Sequence, residues 1–76
     1  MNAQLQAYAR QTIKEGLAQL PDGAQLLFKR MYAHGRLEMP INEVVDQMPE
    51  DRLDWAMQQV ERTLAKQALQ KEDANG

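Results

Sequence analysis

Apolar residues recur along this chain at helical spacing, in stretches set apart by proline and glycine. In the first stretch Leu5, Ala9, Ile13, Leu17 and Leu20 fall on one broad face when the chain is turned by about 100° per residue, which predicts a helix over residues 2–20. Gly16 interrupts it at a cost of about 1 kcal/mol relative to alanine, and a close approach by another helix would account for that. Pro21 stops this helix, and Pro21-Asp22-Gly23 reads as a turn. Ala24, Leu27, Phe28 and Met31 then predict a helix over 24–34, with Leu26 and Tyr32 beside the stripe. Lys29, Arg30 and His34 complement the dipole at its end, and Gly35 suits the left-handed residue that closes it. Pro40 predicts the start of a short helix over 40–47, with Ile41, Val44, Val45 and Met48 as its apolar set. Pro49 ends that helix and opens the longest, over 49–69, whose narrow core stripe is Leu53, Met57, Val60 and Leu64. Glu50 and Asp51 occupy its first turn, where the dipole favours anions. After Leu69 the periodicity stops, and residues 70–76 are expected to form a frayed, disordered polar tail.

Helices of this length are unstable alone in water, so they must pack on one another. The expected fold is all-α: a small four-helix orthogonal bundle formed by a single domain, residues 1–69. The core is expected to contain Leu5, Ile13, Leu17, Leu27, Phe28, Met31, Val44, Leu53, Met57, Val60 and Leu64. A charge in place of Leu53 or Val60 is expected to unfold it, because an unpaired buried charge costs several kcal/mol.

Trp55, the single tryptophan, falls outside this scheme. It projects nearly opposite the core stripe of the last helix, among Arg52, Gln59, Arg62 and Lys66 at spacings of three and four. Either another element covers it, with Tyr8 or Leu17 of the first helix packed on the indole, or it meets a partner. In the second case Arg52, Trp55, Gln59, Arg62 and Lys66, flanked by acidic Asp54 and Glu61, form the binding stripe, since tryptophan and arginine are the residue types most enriched at interface hot spots.

Composition narrows the function. The 76 residues carry 9 basic and 11 acidic side chains, a net charge of −2, which disfavours non-specific nucleic-acid binding unless a local basic face supplies it. With neither serine nor cysteine, no Ser–His or Cys–His nucleophile can form. His34 is the single histidine and has no second one for a zinc site; its plain role is a helix-terminal cation or a surface side chain. Glu50, Asp51 and Asp54 read as a solvated helix N-terminus rather than an acid–base pair, and the scattered glycines form no phosphate loop. No catalytic residue, metal, cofactor or small-molecule substrate is therefore expected. No apolar stretch is long enough for a signal or a membrane span, so the expectation is a soluble cytoplasmic protein.

From Leu20 to about Lys66 the chain resembles the helix-turn-helix domain found in the fourth region of bacterial sigma factors and in related regulators. Leu20-Pro21, Tyr32-Ala33-His34-Gly35 and Glu43-Val44-Val45 carry the resemblance, followed by the long helix with Val60, Arg62 and Leu64. The resemblance implies a helix-turn-helix-like bundle with a recognition helix starting near Glu50. Arg52, Trp55, Gln58, Gln59 and Arg62 would then approach the major groove, where arginine and glutamine read base edges. The chain departs from the pattern by three extra residues and Pro40 before Glu43, and by Gln47-Met48-Pro49-Glu50 in place of a glycine-containing turn. Glu50, Asp51 and Asp54 also stand where DNA phosphates would repel them. The expectation is a non-catalytic helical protein acting on a protein partner or by self-association: an adaptor, inhibitor or regulator of the kind phages encode. The alternative is a helix-turn-helix DNA-binding transcriptional regulator.

Overall fold

Proline and helix capping divide the chain into four helices in a computed structural model, which describes the backbone of residues 2–75 and the side chains of residues 2–70. They are α1 (Ala3–Ala18), α2 (Asp22–Tyr32), α3 (Ile41–Asp46) and α4 (Glu50–Asn75), with no strand among the described residues. The all-α expectation holds, and the four helices fall close to the predicted spans.

Each boundary has a local cause. The Asn2 side chain accepts the Leu5 N–H at 2.8 Å and starts α1. At its other end Gln25 of α2 donates to the carbonyls of Leu17 (2.7 Å) and Leu20 (3.1 Å), adding to the Leu20 N–H that the Leu17 carbonyl accepts at 3.1 Å. Extended Pro21 serves as the N-cap of α2, so that helix begins at Asp22, two residues earlier than predicted. Its end also comes early. Ala33 turns inward to 5% exposure, and the first left-handed residue is His34 (φ 52°), followed by Gly35 (φ 86°). Closure therefore starts on a histidine, one residue before the glycine that the sequence suggests. Pro40 is the N-cap of α3, its carbonyl accepting from Glu43 and Val44. The backbone of α4 stays helical to Asn75, past the predicted end at Leu69; side chains beyond Gln70, where a frayed tail is expected, lie outside the described ones.

The centre of the fold is the packing of α1 on α4. Gly16 lies against Val60 and Leu64, and Gln19 shares a hollow with Leu64, Gln67 and Ala68. Residue numbers advance together along both helices, so the two run side by side in the same direction. A Cβ on Gly16 would collide with Val60 Cγ1, which is the close approach that the glycine suggests.

α3 docks on the same helix through polar groups. Arg10 donates from Nη1 to the Val45 carbonyl (2.6 Å) and from Nη2 to the Met48 carbonyl (3.0 Å). Lys14 pairs with Asp46 at 2.6 Å. Two cations from α1 thus meet the C-terminal end of α3, where carbonyls lack helical donors and the dipole is negative.

The core differs in part from expectation. Ile13, Leu17, Phe28, Val44, Leu53 and Val60 are buried as predicted, and Met57 and Leu64 pack at its edge. Leu5, Leu27 and Met31 are not buried. Leu5 lies one turn before Ala9, the first α1 residue in the core. Leu27 and Met31 lie on α2, which meets α4 through Gln59 and a shallow hollow. Ala9, Leu20, Ala33, Val45, Met48 and Ala56 are buried in addition to the expected set.

Candidate functional site

On α4 the turn-by-turn rotation that buries Leu53, Ala56 and Val60 carries Trp55 to the opposite side. The indole is 73% exposed. Neither proposed cover lies over it: Leu17 is fully buried in the core and Tyr8 is itself exposed. Covering by α1 is therefore corrected. Arg52, Arg62 and Lys66 are exposed on the same side of α4.

Gln59 behaves differently from the rest of the predicted stripe. It is half-buried, and its amide is held at both ends. Oε1 accepts the Tyr32 hydroxyl at 2.9 Å, and Nε2 donates to Met31 Sδ at 3.0 Å. Its donor and acceptor face α2, so it ties α2 to α4 rather than presenting itself to solvent.

This bridge places two residues that periodicity assigns to the core. Met31 touches Gln59, and Leu27 shares a shallow hollow with Gln59, Val60 and Thr63. Leu27 is 59% and Met31 55% exposed. Trp55 is one helical turn from Gln59, so Leu27, Met31 and Trp55 border one surface that crosses from α2 to α4 with Gln59 at its centre. No sequence signal separates Leu27 and Met31 from core residues.

Four cations border this surface, with the exposed Asp51 carboxylate one turn before Trp55 at its α4 end. Arg30 stands exposed on α2 three residues after Leu27, while Arg52, Arg62 and Lys66 line α4. Among the described residues none of these four cations is in an ion pair. Burial raises the Tyr32 hydroxyl above its ordinary pKa of 10.0, and the nearby Arg52 charge opposes the shift. The acidic side of α4 begins at Asp51 and Asp54, which are exposed.

Other features are modest. A cleft of about 270 Å³ is lined by residues including Tyr32, His34, Arg36, Met39 and Gln47. Among the described residues no group of three or more His, Cys, Asp or Glu side chains is placed to hold a metal ion, and no helix is long and apolar enough to cross a membrane. Comparison with protein-family models, curated proteins and solved structures finds no match to this chain.

Proposed function

We propose that this chain is a non-catalytic cytoplasmic helical protein that acts by docking a protein partner on the α2–α4 surface, as an adaptor, inhibitor or regulator. The observation that carries this reading is the 73% exposure of Trp55, beside the exposed Leu27 and Met31. A tryptophan that stabilises no core leaves apolar area in water, and clustered exposed apolar side chains on a small protein commonly mark an interaction surface. Arg52, Arg62 and Lys66 supply the polar rim, and Gln59 supports the surface from below.

Trp55→Ala tests the proposal. Folding stability should change by less than about 0.5 kcal/mol, as for an ordinary surface substitution. Partners captured from a lysate of the source organism by the parent protein should be lost with the variant. Unchanged capture, or a large fall in stability, refutes the reading.

The helix-turn-helix alternative draws on α3 and α4 being joined by residues 47–49 alone, with Arg52 and Arg62 exposed on the second helix. Glu50, Asp51 and Asp54 at the start of α4 oppose phosphate. Duplex binding that falls by about 0.9 log unit per log unit of salt for each phosphate contacted, and that weakens in Arg62→Ala, would replace the protein-docking proposal.

A further inference from the structure

We infer that the segment docking on the α2–α4 surface is an acidic amphipathic helix; this rests on the protein-docking proposal and specifies its partner. Three observations carry it. The floor is apolar and elongated, with Leu27 and Met31 one turn apart on α2 and Trp55 across Gln59 on α4. A floor shared by two adjacent helices suits the apolar stripe of a third, and with no strand among the described residues there is no sheet edge for an extended peptide to join.

The rim carries four cations against the Asp51 carboxylate one turn before Trp55, although the whole chain carries a net charge of −2. Arg30 stands on the α2 side, and Arg52, Arg62 and Lys66 on the α4 side, none of them in an ion pair among the described residues. Carboxylates flanking the partner's apolar stripe would neutralise both rims, and such complementarity selects partners and speeds encounter.

The Gln59 amide, fixed by Tyr32 and Met31, holds the floor before the partner arrives, which lowers the ordering cost of binding. Met31 remains an adaptable contact beside the rigid indole.

A second copy of this chain fits less well. A two-fold dimer through this surface would set the same cations against each other. Nucleic acid would satisfy the cations but leave the aliphatic Leu27 and Met31 without matching chemistry.

The test is selection of helical peptides from a displayed random library on the intact protein, followed by anisotropy titration of the winners. The expected winners carry apolar residues at spacings of three, four and seven, with Asp and Glu flanking them. Their affinity should fall about thirtyfold in Trp55→Ala and about tenfold or more in Arg52→Glu/Arg62→Glu. Winners that are neutral or basic but still depend on Trp55 overturn the acidic class and leave protein docking standing. Winners indifferent to Trp55 overturn both. No enrichment at all overturns the inference. So does a concentration-dependent dimer that Trp55→Ala dissolves, because the occupant is then a second copy. Displacement of the winners by duplex DNA at low salt assigns the surface to nucleic acid instead.

Discussion

Replacing Gly16 with alanine sets two opposing effects against each other, and the structure decides between them. In an open helix the substitution gains about 1 kcal/mol of helix propensity. Here the new methyl would fall well inside contact distance of Val60 Cγ1, with Leu64 Cδ1 at 3.4 Å and Val60 Cβ at 3.8 Å. Ordinary carbon contacts optimise at roughly 3.5–4.0 Å, so the Leu64 and Val60 Cβ contacts are tolerable and the Cγ1 contact is not. Val60 is 4% exposed, and a valine in a helix is largely confined to one χ1 rotamer, so Cγ1 has nowhere to swing. The remaining relief is to push α1 away from α4, and such overpacking costs about 1–3 kcal/mol. The net expectation for Gly16→Ala is destabilisation by about 1 kcal/mol, a fall in Tm of roughly 4–8 °C for a domain of this size. Gly23 is the control, since nothing lies within 4 Å of its added Cβ. Gly23→Ala should stabilise by about 0.4–1 kcal/mol. Thermal unfolding followed by circular dichroism gives both values, and Gly16→Ala/Val60→Ala should fall short of the sum of the single losses because the colliding methyl is gone. If Gly16→Ala raises Tm as Gly23→Ala does, α1 and α4 are not in the contact described.

Arg10→Met keeps the aliphatic stem but removes both donors to the Val45 and Met48 carbonyls, and should cost about 2 kcal/mol; a loss under about 0.5 kcal/mol in urea unfolding would show that water replaces the guanidinium. His34 sits at φ 52°, so His34→Gly should raise Tm slightly whereas His34→Val should lower stability by about 1 kcal/mol or more, and a tolerated valine would contradict the left-handed conformation. Burial keeps the Tyr32 proton on the folded protein above pH 10.0, where the unfolded chain has begun to release it. Stability should therefore decline as pH rises through and beyond that value, and Tyr32→Phe should show a smaller decline in urea midpoints across the same range.

The helices were legible because Pro21, Pro40 and Pro49 punctuate the chain and because the apolar stripes of α1 and α4 face each other, each covering what the other exposes. The stripe of α2 misled because an apolar residue at the right spacing is buried only if something lies opposite it. Phe28 has that cover, and Leu27 and Met31 do not. Ala33 and Ala56 are not legible for the converse reason: alanine is small enough for either surface or core, and only the tertiary packing decides. The exposure of Arg52, Trp55, Arg62 and Lys66 could be read from rotation about one helix axis. The inward turn of Gln59 could not, because it depends on a hydroxyl and a thioether 27 and 28 residues away.

Arg10 also sets how the chain can be divided. The stretch from residue 20 to residue 66 excludes this arginine and with it the donors to two carbonyls at the end of α3. It also excludes Ala9, Ile13 and Leu17, which fill the core beside Leu53, Ala56 and Val60. That stretch is thus no transplantable module. Grafting the Trp55 surface onto another scaffold, or expressing it in a shortened form, means carrying α1 with it.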